Sequence, residues 1–133
     1  MVLNLYLSKM KAGKTIDIGF ANVEIYEHYI ISTINEGVTF GETHLSTLFD
    51  IFALHYGDRP FISIANRAHD YTIDPTMFKR DKYPSLLAIG VVCHTEASKE
   101  IAKFERTFYD GTFEIFDTIE DAKSWAAETL QAH

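Results

Sequence analysis

The run GDRPFISIANRAHDYTIDP, Gly57 to Pro75, sets a helix stop, a short apolar strand and a polar loop in immediate succession. Gly57 suits the left-handed residue that closes a helix. Phe61 to Ala65 is mostly apolar at both odd and even positions, the pattern of a strand covered on both faces. The stretch from Asn66 to Asp74 is rich in hydrogen-bonding side chains. Helix, strand and loop in this order make one step of an α/β chain. The loop that leaves the carboxyl end of a central strand is where such folds dock ligands and partners.

Upstream, Leu45, Leu48, Phe49, Phe52 and Tyr56 fall at helical spacing and give one apolar face. Thr39 with Glu42 three residues later reads as a capping box at the start of that helix. Before it, Ile16, Ile18 and Phe20 alternate with Thr15, Asp17 and Gly19, and Val23 and Ile25 continue the period of two. Glu27-His28 reads as a turn tip, and Tyr29 to Ile34 is the β-branched, aromatic return strand. The link is too short for a crossover, so this pair is expected to be antiparallel.

Downstream, Asp74-Pro75-Thr76-Met77-Phe78 suits a short helix with proline in its first turn. Leu86 to Cys93 is the most hydrophobic run and reads as a central buried strand. A helix follows, with Ala97, Ile101, Phe104 and Phe108 on one face, and Gly111 ends it. Phe113 to Phe116 is a short strand. Asp117 or Thr118 caps a last helix whose inner face is Ala122, Trp125, Ala126 and Thr129. The order is β-β-α-β-α-β-α-β-α. It implies a mixed α/β sheet with an antiparallel N-terminal pair and helices after the parallel strands. Residues 1–133 read as one domain, with Ser8 to Lys14 as a flexible lead-in.

Of the 133 residues 47% are hydrophobic and 23% charged, the balance of a globular chain rather than a disordered one. Twelve Lys and Arg against nineteen Asp and Glu give a net charge of −7. That field repels a phosphate backbone, so nucleic acid is not an expected partner. The one basic cluster, Lys79-Arg80-Asp81-Lys82, is interrupted by an acid and reads as a solvated turn. No apolar run reaches the roughly 20 residues that span a bilayer, and the first residues lack the pattern of a secretory signal. A single cysteine, Cys93, allows no internal disulfide and suits a reducing compartment, so the expected location is the cytoplasm.

Three blocks in order carry a family resemblance: NEGVTF (Asn35 to Phe40), GDRPFISIANRAHDYTIDP, and FEIFDTIEDAKSWA (Phe113 to Ala126). With the antiparallel opening they resemble the SpoIIAA-like, or STAS, group of anti-sigma-factor-antagonist-like domains, from about Thr15 onward. The resemblance implies the SpoIIAA-like mixed sheet, a regulatory or protein-interaction role, and homodimerisation. One departure bears on mechanism. Antagonist-type members carry a phosphorylatable serine in the loop after the strand matching Phe61–Ala65. Here Asn66 to Pro75 holds Tyr71 and Thr72 but no serine, which places a phosphorylation switch in doubt.

The loop offers Asn66, Arg67, Tyr71 and Asp74 as binding residues. Arg67 has the forked donor that suits a carboxylate or phosphate, with Asn66 and Tyr71 adding neutral hydrogen bonds. The plainer reading pairs Arg67 with Asp70 or Asp74 as a loop staple and makes Asp74-Pro75 a turn or cap. His94 and Thr95 follow the other central strand and are placed in the same crevice; Thr95 also suits a helix N-cap. Cys93 and His94 are strand neighbours that face opposite sides, so they do not form a nucleophile–base pair. Glu105 with Asp110 reads as solvated surface. The six histidines lack zinc spacing, and no phosphate-loop, dinucleotide or nucleophile-elbow motif is present. No catalytic residue, metal or cofactor is therefore expected. The expected partners are a second copy, an unidentified protein, or a small anionic or amphipathic ligand. The aromatic residues near element ends either finish the core or form a patch for self-association.

Overall fold

The computed structural model describes residues 13–80 and 82–133. The described residues begin with three antiparallel strands where a pair was expected: β1 (Lys14–Asp17), β2 (Ala21–Ile25) and β3 (Tyr29–Ile34). The alternation that runs through 15–25 is broken at Gly19, whose φ of 93° reverses the chain. The Gly19 amide donates to Asp17 Oδ1 at 2.8 Å, and the Ile18 amide to the Ala21 carbonyl at 3.0 Å, which closes the turn. Lys14 of the expected lead-in already belongs to β1. The part of that lead-in before Gly13 lies outside the described residues.

Next come β4 (Thr39–Phe40) and α1 (Glu42–His55). Thr39 is in a strand, so the capping box differs from the one expected. Gly41 is the N-cap, and its amide donates to Nδ1 of His44, the residue three positions on. Gly57, at φ 60°, ends the helix by donating to the Phe52 carbonyl. Then follow β5 (Phe61–Arg67), β6 (Thr72–Ile73), a 3₁₀ turn (Pro75–Lys79), β7 (Leu86–Cys93), α2 (Glu96–Arg106), β8 (Thr112–Phe116) and α3 (Ile119–Ala132).

Six strands form one sheet in the order β1-β2-β3-β5-β7-β8, and β4 pairs with β6 in a small parallel ladder. The β3–β5, β5–β7 and β7–β8 pairings are parallel, so the sheet is mixed. Alternation along the strands sends side chains to two layers of helix. Ile62 and Ile64 of β5, with Ala88 and Val92 of β7, pack under Ala122 and Ala126 of α3. On the other face, Phe61 meets Phe52 of α1 and Tyr56 just past its end, and Val91 and Cys93 meet Ala102 of α2.

α2 does not bury the stripe the sequence suggests. Ala97, Ile101 and Phe104 are exposed, while Ala102 and Glu105 lie against the sheet. The inner face is the line Ser98, Ala102, Glu105, where a small residue allows close approach and a charged one finds a partner.

Candidate functional site

β5 ends at Arg67 and β7 ends at Cys93, paired in register at the carboxyl edge of the sheet. The chain leaves β5 through the loop to β6, and leaves β7 directly into α2. A cleft of about 270 Å³ lies between them, lined by Arg67, Tyr71, Thr95, Ser98, Ile101 and Glu105 among others. This is the carboxyl-end position at which open α/β sheets place ligands.

Arg67 Nη2 lies 2.5 Å from Glu105 Oε1, with the side chains 8% and 1% exposed. The guanidinium carbon sits 5.4 Å from the centre of the Tyr71 ring, a cation–π distance. Burial works to lower the Arg67 pKa, but Tyr71 and Glu105 outweigh it and hold the guanidinium charged. Burial pushes the Glu105 carboxyl up, with Arg67 opposing. Burial also raises the Tyr71 phenol, which keeps it protonated as a donor. The ion pair is close but poorly directed: Arg67 Nε and Glu105 Oε1 have no well-formed hydrogen bond among the described residues. The cleft is therefore polar and nearly charge-balanced, and an incoming anion has Glu105 to compete with.

The partner of Arg67 is thus neither Asp70 nor Asp74. Glu105 is not solvated surface but one of the most buried residues on α2. Its signal in the sequence is its helical spacing: it follows Ser98 and Ala102 at i, i+4 and i+7.

The six residues singled out from the sequence divide into three groups. Arg67, Tyr71 and Thr95 line the cleft, and Thr95 also caps α2 by accepting from the Ser98 amide at 3.1 Å. Asn66 and His94 alternate to the opposite face of the sheet, where Asn66 Oδ1 and His94 Nε2 meet at 2.7 Å. Asp74 caps the 3₁₀ turn by accepting from the Thr76 amide and hydroxyl at 2.9 and 2.8 Å. These bonds hold its carboxyl below the ordinary range. Cys93 is 2% exposed, the burial of a structural thiol.

Beside the cleft, the outer face of α2 presents Ile101 and Phe104 at 56% and 58% exposure. Phe104 stacks edge-on against Phe108. Glu96 and Glu100 lie toward the start of this stripe. Lys103 lies toward its end, and Lys79 Nζ sits 5.1 Å over the Phe108 ring. Among the described residues no helix is long and apolar enough to cross a membrane, and no cluster of three His, Cys, Asp or Glu could hold a metal. Comparison with protein-family models, curated proteins and solved structures gave no match.

Proposed function

We propose that this chain is a STAS-like, non-enzymatic binding module of the cytoplasm that works by pairing with a second copy through α2. The observation that carries the reading is the exposed stripe Ala97, Ile101 and Phe104, continued past the helix end by the half-buried Phe108, on a helix that turns Ala102 and Glu105 to the sheet. Large apolar side chains grouped on one face, rather than scattered singly, mark an interaction surface. The charges favour a second copy as its cover. Glu96 and Glu100 sit toward the start of the stripe and Lys79 and Lys103 toward its end. The exposed Glu96–Lys99 and Glu100–Lys103 contacts within the helix are surface pairs of little strength that a partner can replace. Two copies crossing antiparallel about a twofold axis set each acidic end against a basic one. The polar groups beside the stripe support a binding role: Arg67 is spent on Glu105, and Cys93 is sealed.

Light scattering across a concentration series tests this. The expected result is a dimer that dissociates on Phe104→Glu with the circular dichroism unchanged. Lys79→Glu with Lys103→Glu weakens pairing, and mixing that variant with Glu96→Lys/Glu100→Lys restores it as a heterodimer. A parent chain that stays monomeric at high concentration overturns the reading.

A further inference from the structure

We infer that the gap between α1 and the sheet is a site for a single-chain amphiphile with an anionic head, such as a short fatty-acid carboxylate. Ser63 and Ile89 are registered partners on β5 and β7, the two most central parallel strands, yet both are only half-buried. The floor of the sheet is open there because α1 covers it incompletely. Phe52 and Tyr56 are sealed at the carboxyl end of the helix, while Leu45, Leu48 and Phe49 remain half-buried. The space between holds about 130 Å³, with walls from Leu48, Phe49, Ile73, Met77 and Ile89. That is room for about four waters at about 30 Å³ each, but with almost no polar partners to hold them. An apolar chain suits these walls better than water does.

The mouth supplies the head-group chemistry. Arg80 and Lys82, from the one basic cluster in a chain of net charge −7, both border the crevice. Arg80 pairs with Glu42 at the surface, and Lys82 Nζ rests 4.8 Å over the Tyr109 ring. A carboxylate at the mouth meets Lys82, and competes with Glu42 for Arg80, while its chain descends toward Ser63. A neutral amphiphile gains the walls but not the cations, and a dianion leaves charge beside Glu42. The site is separate from the α2 stripe and from Arg67, although Ile73 lines both cavities.

The test is a chemical-shift titration of the ¹⁵N-labelled chain with octanoate and with octanol. Octanoate is expected to give saturable shifts centred on Leu48, Ser63, Ile73 and Ile89. Lys82→Gln weakens octanoate about tenfold, the loss of one charge-assisted contact, and leaves octanol unchanged. Ser63→Leu fills the floor and abolishes both; Ile89→Phe does the same from the neighbouring strand should Ser63→Leu fail to fold. The Phe104→Glu variant binds octanoate as the parent does, which keeps this inference distinct from self-association. Shifts confined to α2, octanol binding equal to octanoate, or binding indifferent to both filling variants would each overturn it.

Discussion

Arg67 at the end of β5 and Glu105 on α2 form an ion pair that water barely reaches, 2.5 Å apart with 8% and 1% exposure. Their α-carbons are separated by nearly forty positions of chain, so the contact ties the strand that enters the site loop to the helix that flanks it. It also fixes the rotation of α2. With Ala102 and Glu105 inward, Phe104 turns toward solvent, and Ile101, one turn before Glu105, stands at the open edge of the cleft.

Removing one partner leaves the other charged and buried. Glu105→Ala is therefore expected to cost about 3–5 kcal/mol of unfolding free energy. The double change Arg67→Met with Glu105→Leu removes both charges and recovers most of that loss, because an apolar replacement avoids desolvating two ions. Urea unfolding followed by Trp125 fluorescence measures both. A single variant as stable as the parent would mean that the guanidinium finds water or another partner, and that the pair does not set the rotation of α2.

This pair also shows where the sequence was legible and where it was not. The strand cores Phe61–Ala65 and Leu86–Cys93, the short helical turn capped by Asp74 and the α3 inner face of Ala122 and Ala126 were readable from period and capping alone, although the first strand runs on to Arg67. The rotation of α2 was not. Its apolar stripe at Ala97, Ile101, Phe104 and Phe108 outweighs Ala102 and Glu105 in hydrophobicity, so a local reading buries the wrong side. A contact distant in sequence decides it. The third N-terminal strand was hidden for a different reason: one glycine at positive φ interrupts an otherwise continuous alternation. The loop after β5 leaves from the carboxyl edge, but Asn66 and Arg67, read as its first residues, belong to the strand. The side of the sheet taken by Asn66 and His94 depends on strand parity, which separates them from Arg67.

The approach of α3 to the sheet rests on Gly90. A Cβ at that position would lie 2.8 Å from Trp125 Cζ3 and 3.4 Å from Phe116 Cε2. Trp125 packs on Phe116 with ring centres 5.1 Å apart, so the indole has little freedom to retreat. Gly90→Ala is expected to destabilise by about 1–3 kcal/mol through overpacking and to shift the emission of Trp125, the only tryptophan. Shortening the indole in the same background, as Trp125→Leu, should make the added methyl less costly than it is alone. An alanine variant with parent stability and emission would show that α3 rides farther from β7 than described.

At the opposite end of the sheet, Tyr26, Tyr29 and Tyr56 predict an alkaline limit to stability. The Tyr56 hydroxyl shares its one proton between the Tyr26 and Tyr29 carbonyls at 2.7 and 2.8 Å, and the Tyr26 hydroxyl donates to Glu24 at 2.9 Å. Burial pushes the Tyr26 phenol up to about 12, helped by its hydrogen bond to Glu24. It raises Tyr29 and Tyr56 as well. A phenol that holds its proton more tightly in the folded chain than in the unfolded one gives its full stabilisation below the ordinary tyrosine pKa of about 10. Between that value and about 12 the native state binds more protons than the unfolded state, so stability falls as pH rises. The expected observation is that tyrosinate absorbance and loss of far-ultraviolet circular dichroism rise together in that interval. Tyr26→Phe, which has no phenolic proton to lose, makes the fall shallower. Tyrosinate forming near pH 10 for all seven tyrosines in a chain that stays folded would contradict the burial of this cluster.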